Sequence, residues 1–180
     1  MIPLIICSTI MWTLILDRFF FFARLERRDL PLHAMVRILS RPALPDSCQG
    51  IRAHLVRYLC TRRTHDPVVD KRIVDECAMG IHRSLDRFLA IITVLAAVSP
   101  LFGLLGTVTG MITTFDVITL FGTGNARAMA GGISEALVTT QSGLVVSIPG
   151  LFMGVLLRRR AHRARTRLDT AAMILKRSIK

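Results

Sequence analysis

The sequence predicts an all-α membrane protein with three transmembrane helices, two of them extending into a basic cytoplasmic helical domain. Three observations predict it. Residues 88–115 and 136–157 are runs without a single charge, each long enough to cross a hydrocarbon core. Mean hydropathy is +0.51 and 52% of residues are hydrophobic, which leaves little polar surface for a water-soluble fold of 180 residues. The charge is also segregated: of 24 Lys and Arg, all but Arg127 fall within residues 18–87 or 158–180.

The first span is read at residues 1–23. Ile2 to Leu16 is uncharged, Asp17-Arg18 interrupts the run, and Phe19 to Phe22 resume it. As a helix this stretch covers roughly 34 Å, enough for the bilayer interior. A signal peptide is the rival, but no basic region precedes the apolar run and no small-residue cleavage site follows it, so an uncleaved span is expected. Asp17 and Arg18 are expected to pair where the span meets headgroups.

Residues 24–87 form the cytoplasmic helical domain. Leu25, Leu32, Met35, Val36 and Leu39 recur at helical intervals until the prolines of 41–46 break the pattern. The periodicity resumes after Gly50 through Leu55, Tyr58 and Leu59, and His65-Asp66-Pro67 punctuates it. It then runs through Ile73, Cys77, Ile81, Leu85 and Phe88 into the second span (88–120), predicting a helix that enters the membrane unbroken. A periplasmic loop at 121–132 leads to the third span (133–157). No breaker follows it: Leu168, Ala171, Ala172, Leu175 and Ile179 continue an amphipathic helix over 158–180.

The positive-inside rule puts both basic segments in the cytoplasm and the N-terminus and the 121–132 loop outside. A net charge of +12 raises nucleic-acid binding, yet no basic stretch is interleaved with aromatics; contact with anionic membrane lipids accounts for the charge instead. Cys7 lies in the first span and Cys48, Cys60 and Cys77 in the basic segment, with no CxxC pair and no histidine pattern beside them. No metal, redox centre or other cofactor is expected. Without a triad or phosphate loop, no enzyme activity is expected either.

Small and hydroxylated residues form one stripe on each of the later spans. At 100° per residue, Ala96, Ser99, Pro100, Gly103, Gly106, Thr107, Gly110 and Thr114 share a face, and so do Ala136, Thr140, Gly143, Ser147, Gly150 and Gly154. Such stripes let membrane helices approach closely. Yet Thr107, Thr109, Thr113, Thr114, Thr139, Thr140, Gln141 and Ser142 bring more polar groups than close packing needs, and together with Glu135 they are suited to a hydrated path. Two readings of Glu135 stay open: a carboxylate within the bilayer that marks an ion or proton route, or an acid in the first helical turn favoured by the macrodipole.

The segments Pro100-Leu-Phe-Gly-Leu-Leu-Gly-Thr-Val-Thr-Gly-Met111 and Gly132-Ile-Ser-Glu-Ala-Leu-Val-Thr-Thr-Gln-Ser-Gly-Leu-Val-Val-Ser-Ile-Pro149 resemble the ExbB/TolQ/MotA proton-channel family. The three-span plan favours the ExbB/TolQ branch over the four-span flagellar stators, and the wording of both motifs is most like ExbB. The resemblance implies a bacterial inner-membrane homopentamer around the helices of an ExbD/TolR-like partner, whose single span carries a protonatable Asp. A TonB-like protein would receive the energy. It also implies that Thr107, Thr140 and Glu135 face that partner along the proton path, with Gly103, Gly106, Gly110, Thr114, Ala136, Gly143 and Ser147 as a small pore-lining stripe. Two features depart from the family: Thr109 stands where Trp is frequent, and the chain opens at the first span without a periplasmic extension. The alternatives are a TolQ-like subunit of the envelope-maintenance Tol system and a non-conducting scaffold whose stripes only pack helices.

Overall fold

The computed structural model describes residues 2–27, 50–64, 66–122 and 126–179. The periodicity expected at Leu32, Met35, Val36 and Leu39, the break at 41–46 and Cys48 lie outside the described residues. Five helices make up the rest: α1 (Ile2–Arg27), α2 (Ile51–Arg62), α3 (Pro67–Asp86), α4 (Leu89–Phe121) and α5 (Ala126–Ser178). Three stretches, within Ile2–Leu25, Pro67–Phe121 and Ala126–Ser178, are long and apolar enough to cross a membrane. The all-α, three-span class read from the sequence is therefore the observed one.

The chain divides into two compact units: Met1–Leu16 with Phe88–Leu156, and Asp17–Arg87 with Leu157–Lys180. The first is apolar, since Asp116, Arg127 and Glu135 are its only Asp, Glu, Lys or Arg. In this unit α1 buries Leu4, Met11 and Ile15, spaced at helical intervals on one face. The outward faces of α4 and α5 keep large apolar side chains exposed, among them Leu101, Leu104, Phe115, Leu137, Val145 and Phe152. Water does not tolerate so much apolar surface on a monomer, whereas lipid or neighbouring helices do.

In the basic unit, α2 buries Ile51, Ala53, Leu55, Val56 and Leu59, and α3 buries Val74, Cys77, Ala78 and Leu85. The end of α5 adds Leu168, Ala171, Ala172 and Leu175, and Ile179 just beyond it is buried as well. The Asp66-Pro67 punctuation acts as the sequence implies: Asp66 Oδ1 accepts from the Val68 N–H at 2.9 Å and Pro67 opens α3. Asp70, one turn on, is buried and ties the α2–α3 corner, accepting from the Thr64 N–H at 2.9 Å and the Thr64 hydroxyl at 3.1 Å. Arg63 Nε stands 3.7 Å away on its other oxygen.

Helix α3 runs antiparallel to the end of α5. Asp75 pairs with Lys176, His82 Nε2 stands 2.8 Å from Asp169 Oδ1, and Asp86 pairs with Arg165, so the rungs step by seven and then four residues on both helices. Exposed pairs contribute roughly 0.2–1 kcal/mol each. A fully buried Leu contributes about 1.5–3 kcal/mol. The Leu85, Leu168 and Leu175 packing therefore supplies most of the stability, and the ion pairs fix the register.

Two expectations are corrected. The helix running from the basic segment does not enter the second span unbroken: α3 stops at Asp86 and Phe88, in the left-handed region at φ 66°, separates it from α4. A non-glycine residue adopts that conformation only where its surroundings impose it. The loop between α4 and α5 is also shorter than 121–132, because α5 begins at Ala126. Ala126, Ala128, Met129 and Ala130 are strong helix formers and carry the helix through Gly131-Gly132. At the end of the first span, Arg18 Nε lies 3.3 Å from Asp17 Oδ2, the pairing the sequence suggested, and one Arg18 guanidinium N–H donates to the Ser84 carbonyl at 3.2 Å.

Candidate functional site: the α4–α5 seam and its flanks

The small stripes of α4 and α5 face each other. A Cβ on Gly143 would lie 3.0 Å from the Ser99 carbonyl oxygen and 3.1 Å from Gly103 Cα, and one on Gly103 would lie 3.2 Å from Thr140 Cα. Nearer the α4–α5 turn, a Cβ on Gly110 would meet Ala136 Cβ at 2.8 Å, and Gly106 lies against the Thr139 side chain. At the opposite end of the seam Gly150 takes Met11 of α1, whose sulfur would stand 2.5 Å from an added Cβ. Ser99, Gly103, Gly110, Thr114, Ala136, Gly143 and Ser147 are all buried in this contact.

Within the single chain, Gly103, Gly106, Gly110, Thr114, Ala136, Gly143 and Ser147 lie in a seam between α4 and α5. Lipid tails give helices no hydrophobic reason to associate, so close backbone contact over side-chain-free faces must do it. The stripe pattern cannot tell which helix will cover it. Thr139 and Met11 belong to the same contact, and only the helical spacing of Leu4, Met11 and Ile15 hinted at the role of Met11.

One polar contact within the seam has a specific cause. Pro100 has no N–H, so the Ala96 carbonyl one turn earlier has no intrahelical donor. Ser147 fills the gap from α5, its hydroxyl donating to Ala96 O at 2.8 Å, with both residues buried. Ser147→Ala is expected to destabilise the helix pair by about 1–2 kcal/mol, the range for hydrogen bonds between membrane helices. In Pro100→Ala the restored amide satisfies Ala96 O from within α4, so Ser147→Ala should then be nearly silent. A double-mutant cycle of unfolding free energies in detergent checks this, and additive losses would refute it.

The three residues expected along the proton path are placed differently from one another. Thr107 is half-buried at the edge of the seam, and its hydroxyl donates to the Leu104 carbonyl of its own helix at 2.7 Å. Thr140 is also half-buried, with its hydroxyl 3.4 Å from Gly103 O on the facing helix, a long contact. Most other hydroxyls here fold back onto their own helix, as Thr109, Thr113, Thr114 and Ser142 do. Glu135 is exposed and, because α5 starts at Ala126, sits in the third helical turn. That excludes the first-turn reading, since the macrodipole acts within the first turn. The 22 residues that follow Glu135 carry no charge and cover about 33 Å as helix.

In the basic unit, burial and then neighbouring Glu76 push the Cys77 thiol up to about 11, and burial raises Cys60 against the opposing pull of Arg63. What the apolar unit offers is a closely packed helical hairpin with a hydroxyl-bearing edge and one exposed carboxylate on α5. Residues 47–170 match the MotA/TolQ/ExbB proton channel family.

The chain belongs to that family.

Among relatives of this chain, an ExbB-like biopolymer transport protein of Synechocystis sp. is 30% identical over 87% of this chain and 79% of its own length. The biopolymer transport protein ExbB of Salmonella typhimurium is 28% identical over 97% of this chain and 78% of its own. ExbB of Aquifex aeolicus is 37% identical over 41% of this chain and 49% of its own. The match to the family begins ahead of α2 and ends within the basic part of α5, so it takes in the whole α4–α5 hairpin and the corner formed by α2 and α3.

Proposed function

We propose that this chain is the proton-channel subunit of an inner-membrane motor that couples the proton motive force to a TonB-like protein, for uptake across the outer membrane. In this reading the N-terminus and the α4–α5 turn are periplasmic and the basic unit is cytoplasmic. Five copies surround the single transmembrane helices of an ExbD/TolR-like partner, and that partner's aspartate carries protons past Thr107 and Thr140 while Glu135 marks the outer mouth. The electric component is worth about 2.3 kcal/mol per charge per 100 mV, so a few protons per step can drive a conformational change in the partner. The observation that carries the reading is Glu135: an exposed carboxylate at the edge of an otherwise uncharged span needs water or a protein partner, since lipid offers it neither.

The scaffold alternative has one observation in its favour, the burial of the small stripe within one chain. Substitution of Thr140 separates the two. Thr140→Val keeps the shape and removes the hydroxyl, and because the Gly103 contact is long, the hairpin should remain assembled. Proton flux in vesicles with a co-expressed Asp-bearing partner should fall at least about fivefold, the loss of roughly 1 kcal/mol of polar interaction. Unchanged flux with intact assembly would favour the scaffold.

A further inference from the structure

The tetrapeptide Leu-Asp-Arg-Phe occurs twice in this chain, at 16–19 and at 85–88. At 16–19 it lies inside α1 and is helical throughout. At 85–88 the same residues close α3 and then break: Arg87 takes φ −53° and ψ 131°, and Phe88 takes φ 66° and ψ −9°. Those angles make residues 86–89 a type II turn, whose third position favours glycine because φ is positive there. Phenylalanine fills it instead, at a cost in backbone strain. The sequence around the break is nonetheless suited to a helix. Buried Leu85, Leu89, Ile92 and Ala96 step by four, three and four residues, so one apolar face keeps its helical phase from α3 into α4.

Arg18, the arginine of the first copy, bears on the second. Ending α3 at Asp86 leaves its last four carbonyls, that of Ser84 among them, without helical donors. In an unbroken helix the Ser84 carbonyl would accept from the Phe88 N–H. The ψ of 131° at Arg87 turns that peptide over, and an Arg18 guanidinium N–H donates to the carbonyl at 3.2 Å. Arg18 is buried, its guanidinium carbon lies 5.0 Å from the Phe21 ring centre, and Asp17 Oδ2 stands 3.3 Å from its Nε, so the donor is held in place. A cation also suits the negative end of α3. We infer that residues 86–89 are a two-state joint: a strained turn latched by Arg18, and a helix that makes α3 and α4 continuous when the latch lets go. The latch is energetic, because Arg18 satisfies the Ser84 carbonyl in the turn, and without Arg18 the helix satisfies it better than the turn does. The identical tetrapeptide in α1 puts the helical state within reach of these side chains.

Arg-Phe steps occur only at 18–19 and 87–88, so the full chain, isotope-labelled at arginine carbonyl carbons and phenylalanine nitrogens, gives amide signals for Phe19 and Phe88 alone in a carbonyl-filtered NMR spectrum. In detergent, the backbone shifts of Phe88 should report positive φ in the wild type, with the helical form below about 1%. Arg18→Met keeps the unbranched stem and removes the donors, and should raise the helical form to about 10% or more, a tenfold or larger shift. It also removes the Phe19 signal and so assigns the one that remains. Phe88→Gly, read with glycine labelled instead, relieves the strained position and should hold the turn even combined with Arg18→Met. Asp17→Asn, at an exposed residue, should shift Phe88 in the same direction by a smaller amount. A negative φ for Phe88 in the wild type would overturn the joint. An unmoved Phe88 in folded Arg18→Met, or in Asp17→Asn where Arg18→Met does not fold, would overturn the latch. The readout needs neither a partner nor proton flux, so its outcome is independent of the channel reading.

Discussion

Gly110→Ala is expected to weaken the α4–α5 pair by about 1–3 kcal/mol, the cost of forcing a methyl group into a closed contact. The added Cβ would stand 2.8 Å from Ala136 Cβ, 3.0 Å from its Cα and 3.1 Å from its backbone nitrogen. None of these is the tip of a flexible side chain, so the helices themselves must separate. Alanine's helix propensity returns at most about 1 kcal/mol, which is too little to reverse the sign. Gly131 supplies the contrast, because nothing lies within 4 Å of a Cβ there. Gly131→Ala should therefore be neutral or stabilising by up to about 1 kcal/mol. Unfolding of the purified chain in graded SDS reads both, and an identical response at the two glycines would remove the seam from the account of stability. Because Thr140 reaches Gly103 across this same seam, Gly110→Ala should also lower proton flux by displacing the hydroxyl edge.

The parts of this fold that were legible in the sequence are those set by local chemistry. Runs without charge must be spans, an Asp-Pro pair must open a helix, and Leu168, Leu175 and Ile179 repeat at helical spacing because one face of that helix is covered. What the sequence withheld depends on tertiary context. Arg87-Phe88 contains neither Gly nor Pro, and nothing local announces that Phe88 will take φ 66°. Gly131-Gly132 reads as a loop only until the helix-forming residues before it are weighed. The small stripes were visible, but a face of glycine and serine fits a second helix of the same chain as readily as a cavity, and only the contacts of Gly103 with Gly143 show that the two stripes pack on each other. Pro100 and Ser147 were each visible on these faces too; that one satisfies the carbonyl freed by the other is a relation across 47 residues of sequence that no single-helix pattern contains. Glu135 was singled out from the sequence as a candidate at membrane depth, while its place in the third helical turn followed only from the helix start at Ala126.

Glu135→Gln is expected to lower proton-dependent uptake at least about tenfold, a loss of roughly 1.4 kcal/mol in coupling, while leaving the hairpin folded. The apolar unit has two acids, and depth separates them. Ala136 packs on Gly110, so Glu135 lies level with that residue, six positions or about 9 Å deeper along α4 than Asp116. Asp116 sits near the turn end of α4, and on the proposed reading headgroups and water solvate it at little cost. On that same reading Glu135 faces a neighbouring subunit, an enclosed helix or a hydrated path, and a group that depends on such surroundings is the one whose neutralisation disturbs them. Asp116→Asn should accordingly change uptake less than twofold. Glu135→Asp should keep a measurable part of the activity, because the charge persists on a shorter stem. The substituted residue is exposed in the single chain, so SDS unfolding should match wild type in all three variants and any loss of uptake belongs to transport rather than folding. If Glu135→Gln takes up substrate like wild type, or if Asp116→Asn is the damaging change, the carboxylate does not mark the proton entrance and the seam serves packing alone.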